Sequence, residues 1–178
     1  MTSTGYKLTY GKNTFVVANQ GGTSYSIDNG TNWSTPDNHG LGSNLNVTYG
    51  NNLFLAIGYG QYVSYSSDGI NWNNSNHGNG QQSRSVAYGN GRYVVVGWTA
   101  PAQAGVNGPG SYSTDGINWT NSNHTNGAMQ GIAFGENKFV IVGGSGVASY
   151  SADNGSTWTT SNHNNGPMWD VAYGNGKF

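Results

Sequence analysis

Ser26–Trp33 reads SIDNGTNW, Ser66–Trp72 reads SSDGINW, Ser113–Trp119 reads STDGINW and Ser151–Trp158 reads SADNGSTW. These are four versions of one phrase: a serine, an aspartate two residues on, a glycine and a closing tryptophan. The tryptophans follow one another at intervals of 39, 47 and 39 residues. After each phrase comes an Asn-His pair: Asn38-His39, Asn76-His77, Asn123-His124 and Asn162-His163. An aromatic-glycine step then follows, at Tyr49-Gly50, Tyr88-Gly89, Phe134-Gly135 and Tyr173-Gly174, and Tyr10-Gly11 supplies the same step near the amino terminus. Self-similarity at this period marks stacked supersecondary units that share one core.

Within each unit the apolar period is two. Ser85-Val86-Ala87-Tyr88 alternates, Gly89-Asn90-Gly91 turns, and Tyr93–Gly97 (YVVVG) returns. Asn-Gly between alternating runs is a hairpin signal, because both central residues of that turn need positive φ. A third strand follows, such as Tyr62–Ser66, and the Asp-Gly turn leads to a fourth around Asn71-Trp72. No stretch carries apolar residues at i, i+3, i+4 and i+7 over three turns, so helix is essentially absent. Four antiparallel strands per unit of about 40 residues predict an all-β chain, a β-propeller of four-stranded antiparallel blades. A β-sandwich has no reason to repeat its turn chemistry at fixed spacing. The units fall at about 5–43, 44–82, 83–128 and 129–167 of a single domain 1–178, with 168–178 supplying the first strand of a fifth. That lone strand would leave an unpaired edge. Two outcomes are open: a fragment of a larger ring, or self-association that completes the ring.

Composition narrows the function. The 178 residues include 30 Gly and 26 Asn, and only 7% are charged, where about 25% is usual. The 13% of aromatic residues argue for a packed core rather than disorder. With no cysteine there is neither a disulfide framework nor a thiolate metal site. A formal charge of −1 and two arginines, Arg84 and Arg92, offer no footprint for a nucleic-acid backbone. No apolar run approaches the ~20 residues of a membrane-spanning helix, and the start, MTSTGYKLTYG, is not a secretory signal. Neither cofactor nor metal is expected.

The phrase SADNGSTW matches Ser-x-Asp-x-Gly-x-Thr-Trp at every defined position, and SIDNGTNW differs only at Asn32; the two middle copies are one residue shorter. The chain thus resembles the BNR/Asp-box repeat β-propellers, a sialidase-like superfamily. Its wording (VAYGNGxYVVVG, SxDGxNW) is most similar to phage tail-fibre and bacterial surface repeats. The resemblance implies Asp-box hairpins and a place on a virion or cell surface. In such hairpins Asp28, Asp68, Asp115 and Asp153 accept backbone N–H bonds, as an Asx-turn does. One carboxylate per turn is too few for calcium, which takes six to eight oxygen ligands.

With those four set aside, only Asp37, Glu136 and Asp170 remain as acids. Glycosidases generally need two positioned carboxylates. Sialidases of the superfamily use an arginine cluster and a Tyr/Glu pair, which two arginines cannot build. The sequence therefore predicts a non-enzymatic, lectin-like recognition module for a glycan or another cell-surface ligand. The rivals are a structural or assembly subunit and, third, a glycosidase-like enzyme.

With the four strands of a unit lettered A to D in chain order, meander geometry puts the B–C and D–A connections on one end of the ring. That end carries every Asn-His pair and the long insertion Trp98–Gly110. It also carries the equivalent pairs that open each first strand: Tyr6-Lys7, Leu45-Asn46, Arg84-Ser85, Gln130-Gly131 and Trp169-Asp170. Divergence at equivalent positions means either a specific pocket or relaxed constraint. Candidate ligand-binding residues are His39, His77, His124 and His163, their neighbours Asn38, Asn76, Asn123 and Asn162, and Trp98, Trp169 and Arg84. Imidazoles and amides both donate and accept hydrogen bonds, as hydroxyl-rich ligands require, and aromatic faces offer stacking. The histidines have a second reading as caps of the D–A crossovers, because each copy has the same local sequence.

Overall fold

The aromatic-glycine steps decide how the blades meet. In the computed structural model of the chain, a Cβ on Gly11 would overlap the ring of Tyr49 from the next unit. Gly50 is likewise the seat of Tyr88, Gly89 of Phe134 and Gly135 of Tyr173. Each seating aromatic also tilts against a second ring across its own hairpin, with centroids 4.6 Å apart in Tyr49–Phe54, 4.7 Å in Tyr88–Tyr93 and 4.8 Å in Phe134–Phe139. Glycine is required here by space, not by φ.

The structure describes residues 5–35, 37, 39, 44–78, 82–98, 108, 110–122, 124, 127–162 and 166–178. The first sheet is β1 (Gly5–Gly11), β2 (Thr14–Asn19) and β3 (Gly22–Ser26); the second is β4 (Asn44–Gly50), β5 (Leu53–Gly58), β6 (Tyr62–Ser66) and β7 (Asn73–Asn76). The third is β8 (Gln82–Gly89), β9 (Arg92–Trp98), β10 (Gly110–Ser113) and β11 (Thr120–Asn121). The fourth is β12 (Met129–Gly135), β13 (Lys138–Gly143), β14 (Val147–Ser151) and β15 (Thr159–Asn162). All are antiparallel meanders, and one 3-10 turn at Gly144–Gly146 is the sole helical element among the described residues. None of their helices is long and apolar enough to cross a membrane. Among the described residues the first sheet has three strands, with the Thr23–Asp37 bridge and the bond from Ser34 N to Tyr25 O beside β3.

The A–B turns pair two positive-φ residues, as the Asn-Gly signal predicts for Asn90-Gly91 (φ 47° and 78°). Lys12-Asn13, Asn51-Asn52 and Glu136-Asn137 take the same shape without glycine. Asparagine tolerates the left-handed region best among residues with a side chain.

First strands of successive sheets pack on one another, β1 on β4, β4 on β8 and β8 on β12. The apolar interior lies between sheets. Val16, Ala18, Val47, Phe54 and Ala56 fill the first seam, beneath Trp72. Leu55, Ile57, Val63, Val86, Tyr93 and Val95 fill the second, beneath Trp119. Val94, Val96, Met129, Ile132, Phe139 and Ile141 fill the third, beneath Trp158.

The tryptophan hairpins are held by their own side chains. Asp68 Oδ1 accepts the backbone N–H groups of Ile70 and Asn71 at 2.8 Å, Oδ2 accepts Asn71 Nδ2 at 2.9 Å, and Ser66 Oγ accepts Gly69 N at 2.8 Å. The turns at Asp28, Asp115 and Asp153 repeat the pattern. Such bonds satisfy a reversing backbone without metal.

Residues 168–178 follow the path of a fifth first strand without joining a ladder. Met168 N donates to Gly143 O at 3.0 Å, Tyr173 sits on Gly135, and Gly174 bridges Lys177. Tyr173–Phe178 repeats the ring pair at 4.9 Å. Nothing lies within 4 Å of a Cβ on Gly174, and Tyr10 of the first sheet is 50% exposed. Leu8 is 55% exposed where its equivalents Val47, Val86 and Ile132 are 4–7%.

The seams make a direct test. Trp158→Ala is expected to destabilise the chain by roughly 3–5 kcal/mol, as for loss of a large packed aromatic. Trp33, 44% exposed on the open side, is expected to cost under about 1 kcal/mol when replaced by Ala. Urea denaturation of both variants checks the difference; equal losses would contradict the seam assignment.

Candidate functional site

Where each first strand begins, its pairing slips by one residue. The register skips between Gly5 and Lys7, Asn44 and Asn46, Ser83 and Ser85, and Met129 and Gly131. The extra residues are Tyr6, Leu45, Arg84 and Gln130. A bulge of this kind re-aims a side chain and commonly lies beside a binding site. Here it turns Arg84 and Gln130 onto a cavity of about 270 Å³, whose other walls are Lys7, Asn46, Tyr59, Trp169 and Asp170. Every unit contributes, and the contribution differs in each. These are the diverging positions of the sequence, gathered around one opening.

Two cations and one acid line the space. Lys7 Nζ and Asp170 Oδ2 are 2.7 Å apart, with both side chains substantially exposed; a pair in that setting contributes about 0–1 kcal/mol. It joins the first unit to the last. Arg84 has no ion pair among the described residues. Its guanidinium instead lies over two aromatic rings, 5.2 Å from the Trp98 ring centroid and 5.8 Å from that of Tyr59. Arg84 Nε is buried and has no hydrogen-bond partner among the described residues. Trp169 stands at the rim, 72% exposed. Asn46 is buried and donates to Ser85 Oγ of the next sheet at 2.9 Å.

Of the candidate residues, the structure therefore brings Arg84 and Trp169 to one cavity, with Trp98 stacked behind Arg84. Lys7, Asn46, Tyr59, Gln130 and Asp170 complete it. Four of these belong to the diverging opening pairs, whereas no sequence signal marks Tyr59. His39, His77 and His124 lie outside this lining. His39 Nε2 is 2.5 Å from Thr23 Oγ1, and its ring stacks 4.9 Å from Trp72 of the next sheet. His77 Nε2 is 2.7 Å from Ser83 Oγ, its ring meets Trp119 edge-on at 6.3 Å, and the crevice beside it is too narrow for water. His124 is fully buried, and its backbone is bridged to Gly108. Asn76 Oδ1 accepts Gly78 N at 2.7 Å, and Asn162 ends β15. Asn38, Asn123 and His163, with most of the Trp98–Gly110 insertion, lie outside the described residues. No group of three potential metal ligands occurs among the described residues.

No family profile and no curated protein matches the sequence. Solved structures do. A chain of the nidogen/laminin complex superposes with a TM-score of 0.75 at 13% identity, over 97% of this chain and 70% of that one. YCF48 bound to D1 peptide gives 0.70 at 16%, over 99% and 59%. An ancestral GH74 enzyme gives 0.67 at 19%, over 86% and 23%. The chain thus spans well under two thirds of the latter two. The fold is a β-propeller.

Ionisation in the seams and hairpins predicts how the fold responds to acid. Burial pushes His77 down to about 4, and burial also lowers His39 against the opposing charge of Asp37. An unfolded histidine takes up its proton near pH 6.5, so the unfolded chain binds more protons between pH 6.5 and 4 and stability falls across that window. The Asp28 carboxyl is held at about 2 by bonds from Asn32 and Ser26. For Asp68 partial desolvation acts upward, but hydrogen bonds from Asn71 and Ile70 hold it well below the usual range. These groups stabilise the fold above pH 4 and lose that contribution as pH falls toward their folded values. Melting temperature is therefore expected to drop in two stages, from pH 6.5 to 4 and again below 4. His77→Gln should flatten the first stage and leave the second; an unchanged first stage in that variant would contradict the assignment.

Proposed function

We propose that the chain is a non-enzymatic recognition module, an Asp-box propeller of a phage or bacterial surface. On this reading it binds a glycan or another surface ligand at the cavity end. One observation carries it: five units that agree wherever the scaffold dictates the residue disagree where they surround the same 270 Å³ space. The volume equals that of about nine waters, room for one sugar unit. Exposed Trp169 offers a stacking face, while Gln130, Asn46 and Lys7 offer polar groups. Propellers of similar fold hold partners, as in the nidogen/laminin complex and in YCF48 with D1 peptide. Against catalysis, the cavity lining holds one acid, Asp170, and it is already paired with Lys7. A glycan array is expected to return specific binding that Trp169→Ala reduces at least ten-fold without loss of melting temperature. Absence of binding to any glycan would remove this reading.

A second reading, assembly by self-association, rests on the exposed face of the first sheet. Leu8 and Tyr10 are exposed on the first sheet, and Tyr150 is 39% exposed on the fourth. The uncovered wedge between them has the two-sided apolar character of a seam. Sedimentation is expected to show concentration-dependent association, weakened by the double substitution Leu8→Lys, Tyr10→Lys. A compact monomer at all concentrations would remove the second reading.

A further inference from the structure

We propose that Asn90 and Asn175 are sites of spontaneous deamidation, and that the hairpin serines Ser26 and Ser151 shield Asn29 and Asn154 from the same reaction. The modification lies away from the cavity and stands whatever ligand the cavity takes.

Four Asn-Gly steps lie wholly within the described residues: Asn29-Gly30, Asn90-Gly91, Asn154-Gly155 and Asn175-Gly176. As sequence they are equivalent, since glycine has no Cβ to hinder attack by its own nitrogen. In the reaction the glycine nitrogen attacks the asparagine Cγ. The new C–N bond closes a succinimide ring, the Cγ–Nδ2 bond breaks, and ammonia leaves with the proton from the glycine nitrogen. Water then opens the ring at either carbonyl and leaves aspartate or isoaspartate. No electrons are transferred, and water is the sole co-reactant. The step needs a glycine N–H that is free of an acceptor and open to water.

The structure divides the four steps into two pairs. In the tryptophan hairpins, Gly30 N donates to Ser26 Oγ at 2.9 Å and Gly155 N donates to Ser151 Oγ at 2.8 Å. Each serine is itself fixed, its hydroxyl donating to Asp28 Oδ1 at 2.7 Å or to Asp153 Oδ1 at 2.8 Å. To reach the asparagine Cγ, the nitrogen must first leave that acceptor. Gly155 is also buried, against Val94. The same serine bond recurs on Gly69 and Gly116 in the two shorter hairpins.

Asn90-Gly91 and Asn175-Gly176 form the tips of two-residue turns instead, with φ of 47° and 78° in the first and 49° and 75° in the second. There the flanking residues carry the backbone pairing. Gly89 pairs with Arg92, and Gly174 and Lys177 exchange bonds of 2.9 and 3.0 Å. Such pairing leaves the nitrogen of the second turn residue outside the ladder. All four turn residues are exposed, and nothing lies within 4 Å of a Cβ on Gly91. At Asn90 the change also reaches the neighbouring unit. Its Nδ2 donates to Asn154 Oδ1 at 2.7 Å, so loss of that nitrogen removes a bond between the third and fourth sheets. Arg92 Nη1, 2.8 Å from Ser156 Oγ, keeps the same two turns in contact.

The test ages the intact chain in mildly alkaline buffer, with and without denaturing urea, and follows each step by peptide mapping with fragment-ion sequencing. In urea the four steps are expected to react at similar rates. In the folded chain Asn90 and Asn175 are expected to react at least ten-fold faster than Asn29 and Asn154. Ser26→Ala is expected to raise the Asn29 rate toward its value in urea and to leave Asn175 unchanged. Equal rates at all four steps in the folded chain, or no reaction at Asn90 and Asn175, would overturn the proposal. An Asn29 rate unmoved by Ser26→Ala would overturn the shielding by serine. If that variant fails to fold, the comparison of the unsubstituted chain with and without urea still decides whether the fold separates the two pairs.

Discussion

One contact organises this molecule: a glycine at the end of each first strand, covered by the aromatic ring of the next unit. It recurs at four junctions along the chain, Gly11 with Tyr49, Gly50 with Tyr88, Gly89 with Phe134 and Gly135 with Tyr173. A methyl group at the seat would overlap the ring, so the sheets approach as closely as backbone allows. Once the first strands are fixed at that distance, the Val, Ile and Phe faces of neighbouring sheets must meet, and burial of those faces is the main driving force. The tryptophan hairpins complete each seam. Gly69 turns against Val16 and Phe54, Gly116 against Leu53 and Leu55, and Gly155 against Val94, while Gly30, which follows no covered seam, meets only its own Trp33.

This explains how a chain with so few charges holds together. Its turns need no partners from outside, because Ser and Asp side chains satisfy the reversing backbone locally. Its seams need no ion pairs, because they are apolar. Of the charges it does carry, four are the recurring hairpin aspartates, and Lys7, Arg84 and Asp170 meet at the cavity.

The repeat made the scaffold readable from sequence. A residue that recurs in every unit answers to a contact that recurs in every seam, and the aromatic-glycine steps, the hairpin aspartates and the tryptophans are all of that kind. His39 and His77 follow the same logic, each lying against the tryptophan of the following sheet. The cavity was readable only in part. Divergence among Lys7, Asn46, Arg84, Gln130 and Trp169 marked the positions, but strict alternation would send adjacent residues to opposite faces. The bulges break that alternation. They carry no composition signal of their own, because the inserted residue is Tyr, Leu, Arg or Gln according to the unit. Tyr59 could not be found at all, since it enters from a connection whose path depends on the third sheet being in place.

The segment from Met168 to Tyr173 joins the two halves of the functional question. On one side it supplies Trp169 and Asp170 to the cavity, and on the other it seats Tyr173 on Gly135 of the fourth sheet. What holds it is modest: one backbone bond to Gly143, the seats at Gly131 and Gly135, and the exposed pair with Lys7. None of these is a strand ladder, so the segment has less to fix it than any first strand before it. Whatever covers the wedge would add pairing to this segment and thereby stiffen the wall that presents Trp169. A ligand held against Trp169 would stabilise the same segment from the cavity side. The two proposed readings therefore meet on residues 168–178: a ligand at the cavity and a partner at the exposed face of the first sheet would each act on the same short segment, and ordering by one would favour the other.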